Sequence, residues 1–281
     1  MKSKRNKTII VKQEELQDFN FLEFPEKVNS ISEIENNIFL TNCLSSIKLI
    51  PDHSIDLTLT DPPYNNRKDF GDGTVNLSKE DFEKWNDDWI KECFRILKPT
   101  GSIYLCIDWP NSGMIQNILG KYFIVQNRIT WKREKGRGSK VNWKNNMEDI
   151  WFATKSKDYT FNLDQVKIKK AVIAPYKDSA GKPKDWVEEN GEKFRFTHPS
   201  NIWTDLTVPF WSMPENTEHP TQKPEKLIER IILASSNEND LVFDPFLGSG
   251  TTCVVAKKLK RRYLGFEINK KYYVLASKRL R

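Results

Sequence analysis

The sequence predicts an α/β protein built on a Rossmann-like, doubly wound, mostly parallel sheet. Three observations carry that expectation. Short runs rich in apolar and β-branched residues alternate with stretches of helical period. Two of those runs end in an aspartate, Asp61 and Asp244. A glycine turn, Gly248-Ser249-Gly250, then joins the second run to a helical stretch, and it is at such junctions that doubly wound sheets hold nucleotide-like ligands.

Along the chain, residues 1–36 are charged and poor in apolar period, and are expected to form an arm or loosely packed lead-in, with order beginning near Asn37. IFLTNC and DLTLTD are strands joined by a turn or short helix at SSIKLIPD. From Lys79 to Leu97, apolar residues at three- and four-residue intervals (Phe82, Trp85, Trp89, Ile90, Cys93) make an amphipathic helix stopped by Pro99 and Gly101. SIYLCID is a buried strand, Asn111 to Leu119 a helix, and FIVQNRITWK and DIWFATK two more strands. Residues 134–216 are long, polar and rich in proline. Segments of that kind inside a compact domain usually carry a task, so they are assigned to target recognition. Regular pattern returns over 217–281: a helix in PTQKPEKLIERIILASS, the strand LVFD, the glycine turn and its helix, the strand RYLGFE and a closing helix in KKYYVLASKRL.

The chain has 281 residues, 38% hydrophobic and 30% charged, with 45 Lys+Arg against 38 Asp+Glu, a net +7. No stretch approaches the roughly 18 apolar residues of a membrane span, and the basic start lacks the plan of a secretory signal. The expectation is a cytosolic, non-membrane protein. Cys43, Cys93, Cys106 and Cys253 are scattered, with no CxxC and no histidine pair near them, which gives no zinc pattern. Nine tryptophans beside an excess of cations suit nucleic acid.

Around the glycine turn, Asp244, Phe246, Gly248, Ser249, Gly250 and Thr251 open a helix, and Glu267 follows Asp244 by 23 residues. That is the spacing at which a strand-end acid meets ribose hydroxyls. A dinucleotide would be repelled by Asp244, whereas a cationic ligand would not. The plainer alternative is a glycine-rich turn that eases a tight junction. Asp61-Pro62-Pro63-Tyr64 also follows a strand. Its prolines fix the backbone, so acid, carbonyls and ring form a receptor for a planar amino-bearing ring, or simply a rigid turn with Tyr64 packed beneath it.

These stretches resemble the amino-methyltransferases of DNA, the adenine-N6 and cytosine-N4 enzymes of restriction-modification systems. DPPY is similar to their catalytic motif, FDPFLGSGTT to their cofactor turn, and HPTQKP (His219 to Pro224) to the segment ahead of that turn. Their order here is similar to the permuted arrangement called the β group, and the likeness covers about 38–155 and 217–281.

The resemblance implies a methyltransferase domain of residues 37–133 and 217–281, using S-adenosyl-L-methionine. Asp61 and the Pro62 carbonyl would accept from the target amine, and Tyr64 would stack on a flipped base. The cofactor would lie on Asp244, Phe246, Gly248, Ser249, Gly250 and Thr251 with Glu267 at the ribose. Thr221 and Lys223 would take its carboxylate, and Asn42 and Cys43 its adenine. Lys132, Arg133, Lys135, Arg137, Lys140 and Lys144, with Trp131 and Trp143 interleaved, are expected on DNA phosphates. Partners implied are double-stranded DNA, a cognate restriction endonuclease and a second copy of the chain. Enzymes of cytosine N4 often carry serine in place of the motif aspartate, so Asp61 favours adenine N6. The other readings are cytosine N4, a catalytically silent DNA-binding partner of the same fold and, more remotely, a dinucleotide oxidoreductase.

Overall fold

The computed structural model describes residues 5–66, 75–133, 138, 140–173 and 176–281. A short helix, α1 (Gln13–Gln17), precedes strand β1 (Asn37–Leu40). Then come α2 (Cys43–Ser46), β2 (Ile55–Thr60), α3 (Lys79–Ile96), β3 (Leu97–Ile107), α4 (Trp109–Tyr122), β4 (Ile124–Lys132) and β5 (Met147–Thr154). Four short strands follow, β6 (Ile168–Ala171), β7 (Val187–Glu189), β8 (Glu192–Thr197) and β9 (Ile202–Trp203). The chain closes with α5 (Glu225–Ser235), β10 (Leu241–Asp244), α6 (Thr251–Lys258), β11 (Arg262–Glu267) and α7 (Lys270–Leu280).

Eight strands form one sheet in the order β1-β11-β10-β2-β3-β5-β4-β9. All neighbours run parallel except at β5, which is antiparallel to both β3 and β4. β4 and β5 follow each other through a hairpin, which demands that direction, whereas the parallel strands are joined by helical crossovers. The sheet is therefore the doubly wound, mostly parallel one expected.

Alternation along the strands supplies both faces. Ile103, Leu105 and Ile107 of β3 join Leu241 and Phe243 of β10 against α3 and α4. Tyr104, Cys106 and Val242, on the opposite face, pack on Leu227, Ile228, Ile231 and Ile232 of α5 and Val255 of α6. A shift of register in β2 between Ile55 and Leu57 moves those two residues to opposite faces despite their even spacing. α3 begins where the Ser78 hydroxyl accepts from the Asp81 N–H at 3.1 Å, an N-cap that satisfies one orphan donor.

Two expectations need correction. The lead-in is not loose: Ile34 is fully buried, Phe24 lies 5.0 Å from the Phe39 ring and 4.9 Å from that of Phe266, and Lys278 of α7 donates to Ile10 O and Glu15. Its few apolar residues fall on the edge of the sheet at β1, so sparse spacing hides their packing. Nor is 134–216 one separate insertion. β5 lies inside the main sheet and β9 on its edge, and only β6, β8 and β7 form a sheet of their own.

The buried edge gives a direct check. Ile34→Ala is expected to cost about 3 kcal/mol of stability, as for other fully buried aliphatic truncations, measured by urea denaturation. A loss within experimental error would mean that the lead-in is peripheral.

Candidate active site

Strands β1, β11, β10 and β2 are consecutive in the sheet and all parallel, so their carboxyl ends share one edge. Asn42 lies just beyond β1, Glu267 ends β11, Asp244 ends β10 and Asp61 follows β2. These residues span three strand spacings, about 14 Å. The chain leaves β10 toward β11 and leaves β2 toward β3, so the sheet divides between them, the switch point at which such sheets form ligand crevices. A cavity of about 260 Å³ opens there, lined by Asn42, Cys43, Asp61 to Tyr64, Thr221, Lys223, Asp244, Phe246, Gly248, Ser249, Thr251 and Glu267 among others.

At the β2 end, both oxygens of Asp61 are engaged. The Tyr64 hydroxyl donates to Oδ1 and the Lys223 ammonium to Oδ2. Lys223 Nζ also lies 3.3 Å from the Tyr64 oxygen and 3.3 Å from Oε2 of Glu148. Lys223 is 6% exposed and Glu148 4%, against 21% for Asp61. Burial opposes the lysine's charge, but the carboxylates of Asp61 and Glu148 outweigh it and hold the ammonium above the ordinary lysine range. Burial, and then the charge of Asp61, push the Tyr64 phenol well up, so it remains a donor.

Neighbouring groups hold this cluster in place. Asn111 Nδ2 donates to Tyr64 O at 3.0 Å, fixing the turn after the prolines. Gln222 accepts from Thr217 N and its hydroxyl, both at 2.8 Å, and donates to Glu215 O at 2.7 Å. That anchors the stretch in which Lys223 stands.

At the β10 end, Asp244 is buried and accepts from Thr60 Oγ1 at 3.0 Å and Phe246 N at 3.1 Å. Glu267 accepts from Gly248 N at 2.7 Å and Asn269 N at 2.8 Å. Gly248 and Gly250 have φ of 54° and 79°, a left-handed conformation that favours glycine. A side chain would also collide: a Cβ on residue 248 would lie 3.0 Å from the His219 ring, and one on residue 250 would lie 2.8 Å from Ala276. The glycines are thus required by the protein's own packing as well as by access to a ligand. Arg279 donates to Ser249 O and Thr251 Oγ1, each at 2.8 Å, and to Glu225 at 2.9 Å, bracing the turn from α7.

Most of the sequence-derived candidates meet at this cavity. Lys223 does so with its charge committed to Asp61 and Glu148, not left for a ligand carboxylate. Asn42 also caps α2 by accepting from Leu44 N at 2.9 Å. Among the cations expected on phosphate, Lys132, Lys140 and Lys144 are exposed, whereas Lys135 and Arg137 lie outside the described residues.

Two members of that segment face inward. Arg133 pairs with buried Glu148 at 2.5 Å, and Trp131 is 1% exposed, its indole donating to Leu206 O at 2.9 Å. Trp143, 93% exposed, is free of that core. β4 and β5, the antiparallel pair that flanks the basic segment, are further joined by Arg133 N on Asn146 O at 2.6 Å. Because Ile107 pairs with Asp149, the hairpin sits at the same sheet edge as Asp61.

Sequence reasoning missed Glu148, Asn111, Arg279 and the pair beneath Phe246, whose ring lies 5.3 Å from Trp85 and 5.2 Å from Trp89. A signal for Glu148 was present: an acid pair, Glu148-Asp149, heads an otherwise apolar strand.

Burial pushes the Asp244 carboxyl up to about 6 and that of Glu267 up to about 7, against the backbone and side-chain donors that favour their charged forms. A folded pKa above the unfolded one adds stability below the unfolded value, and that stability is lost as pH rises through the folded value. Asp244→Asn is therefore expected to gain stability relative to wild type as pH is raised from about 4 to about 7.5, followed by urea denaturation at each pH. A difference that does not change with pH would contradict the assignment.

A family described as DNA methylase matches residues 55–278. The DNA adenine methyltransferase YhdJ of Escherichia coli (strain K12) is 38% identical over 247 residues, 85% of this chain and 80% of that protein. The type II methyltransferase M.HpaI of Haemophilus parainfluenzae is 36% identical over 252 residues, 88% of this chain and 74% of its own. Two solved structures share the fold. The cytosine-N4-specific PvuII DNA methyltransferase matches with a TM-score of 0.66 at 19% identity, covering 93% of this chain and 90% of that one. M1.HpyAVI, solved as a complex with SAM, matches with a TM-score of 0.56 at 23% identity, covering 87% and 99%. With its strand-end acids and glycine turn gathered at one crevice, the chain belongs to the N6/N4 family of DNA methylases.

Proposed function

We propose that this protein transfers a methyl group from S-adenosyl-L-methionine to the exocyclic amine of a base in DNA. One observation carries the reading: Asp61 opens onto the same cavity as Asp244 and Glu267. The donor groups fit the cofactor. Asn42 and Cys43 would take its adenine, Glu267 its ribose hydroxyls and Asp244 its cationic amino-acid portion, with Phe246, Gly248, Ser249, Gly250, Thr251 and Thr221 around them. When bound, S-adenosylmethionine supplies an electrophilic methyl on sulfur.

The rest of the chemistry falls to the chain. An aromatic amine is a weak nucleophile because its lone pair is shared with the ring. Asp61 and the Pro62 carbonyl accept its N–H groups, localise that pair and offset the positive charge that grows on nitrogen. Pro62 and Pro63 hold the acceptors still, so little reorganisation accompanies the step. When the N–C bond forms, the S–CH3 bond would break with its electron pair passing to sulfur, which leaves as a neutral thioether, and the proton lost from nitrogen would pass to Asp61, the base within reach. A paired base cannot enter this crevice and must be flipped, with Tyr64 as the surface it meets. Lys132, Lys140, Lys144 and Trp143, on and beside the adjacent hairpin, would face the duplex backbone, and the sheet of β6 to β8 with its flanks would read the sequence.

Adenine N6 is supported by Asp61 in the motif and by the 38% identity to a DNA adenine methyltransferase. Cytosine N4 is supported by the fold match to a cytosine-N4-specific enzyme, and the two amines are close to equivalent for the chemistry above. Among the described residues no helix is long and apolar enough to cross a membrane. We place the protein in the cytoplasm, paired with a second copy of itself and with a restriction endonuclease of like specificity.

Incubation with plasmid DNA from a methylation-free host, then nucleoside mass spectrometry, is expected to show N6-methyladenine; N4-methylcytosine would select the other reading, and neither would overturn the function. Asp61→Ala should slow transfer by about 100-fold or more while S-adenosylmethionine still binds in calorimetry. Replacing Lys140 and Lys144 with alanine should lower the salt slope of DNA affinity by about two.

A further inference from the structure

The geometry points to Glu148 as a positioning residue that shares Lys223 with Asp61 and so leaves Asp61 able to take the target amine. The inference rests on the methyl-transfer reading above and concerns a residue outside its motifs. In the free protein Tyr64 occupies Oδ1 of Asp61 and Lys223 occupies Oδ2. A carboxylate oxygen can accept a second donor. With an ammonium in contact, however, the negative charge of Asp61 is already balanced, and little remains for a nitrogen that is becoming positive. Lys223 must therefore relax its hold as the amine arrives.

Its surroundings leave one place to go. At 6% exposure it cannot turn to water without rearranging the site, and an ammonium moved into apolar surroundings would be costly. Oε2 of Glu148 lies 3.3 Å from Nζ and, among the described residues, accepts no hydrogen bond. Its other oxygen is fixed by Arg133 at 2.5 Å, and Glu148 is held in β5 opposite Trp131. The unused oxygen is thus aimed at Lys223 and cannot swing away. A shift of Lys223 from Asp61 toward Glu148 keeps the ammonium paired and the group neutral as a whole, two acids against two cations, and leaves Asp61 to the nitrogen that is becoming positive. Arg133 N also donates to Asn146 O across β4 and β5, so Glu148 stands in the same hairpin whose exposed cations would meet DNA.

The test uses the full chain and methyl incorporation into plasmid DNA from a methylation-free host. Glu148→Gln is expected to lower kcat about tenfold with KM for S-adenosylmethionine and for DNA within about threefold of wild type, because Lys223 then binds Asp61 alone. Adding Lys223→Gln to that variant should recover part of the lost kcat, since it frees Asp61; a merely structural acid would give a double variant no faster than the single one. Wild-type kcat in Glu148→Gln, or no recovery in the double variant, overturns the proposal. Should Glu148→Gln fail to fold, Glu148→Asp keeps the charge but withdraws it by a methylene, and is expected to lose about threefold in kcat at unchanged KM; wild-type kcat there would overturn it equally. If wild type itself transfers no methyl to DNA, the functional reading falls and this one with it, an outcome distinct from an active wild type beside an unimpaired Glu148 variant.

Discussion

The parallel pairing of β2 with β10 is the constraint on which the site depends. It joins segments about 180 residues apart in the chain, and the Thr60 hydroxyl on Asp244 ties their ends together across 184 positions. Without that register the acid of one strand and the acid of the other would be unrelated. With it, they open on one crevice, and the helices that follow each strand must diverge to opposite sides, which leaves room for a ligand. The hydrophobic faces on either side of the sheet keep the pairing in place, since a slip by one residue would exchange Val242 and Phe243 between them.

A second consequence of bringing distant segments together is a group of charges that is buried at Glu148 and Lys223 and partly buried at Asp61 and Arg133. Asp61, Glu148, Lys223 and Arg133 come from four separate places in the sequence and sum to zero. Desolvating such groups is expensive, and a buried ion pair contributes little net stability against an apolar replacement. Their presence is better understood as a device for holding an acid at the crevice in a defined orientation than as a brace. Asp244 and Glu267 show the opposite arrangement. Burial raises both pKa values; among the described residues no cation is paired with them, and backbone N–H groups, joined at Asp244 by the Thr60 hydroxyl, favour the charged forms.

Much of this was legible in the sequence because it is written locally. β-Branched runs, the strand-end DPPY and the Gly248-Ser-Gly250 turn each state their own conformation, and RYLGFE and KKYYVLASKRL match β11 and α7 residue for residue. What escaped is written in three dimensions. Trp131 and Arg133 stand in a basic stretch and look solvated, yet Trp131 in β4 and Arg133 just after it turn to Leu206 and Glu148. Lys223 looks like a helix-entry residue, but the anchoring of Gln222 turns it toward Asp61. The lead-in appears unstructured because its apolar residues serve the sheet's edge, not an element of their own. Even the glycines gave the right place for an incomplete reason, since their neighbours are His219 and Ala276.

The aromatic wall of the crevice has a practical consequence. Trp85 is half-buried, lines the cavity and sits 6.3 Å from Trp89 in an edge-on arrangement, with Phe246 against both. An indole so placed senses the polarity of whatever enters beside it. Its emission gives the molecule a built-in optical reporter of occupancy, which a Trp85→Phe change would separate from the signal of the eight other tryptophans.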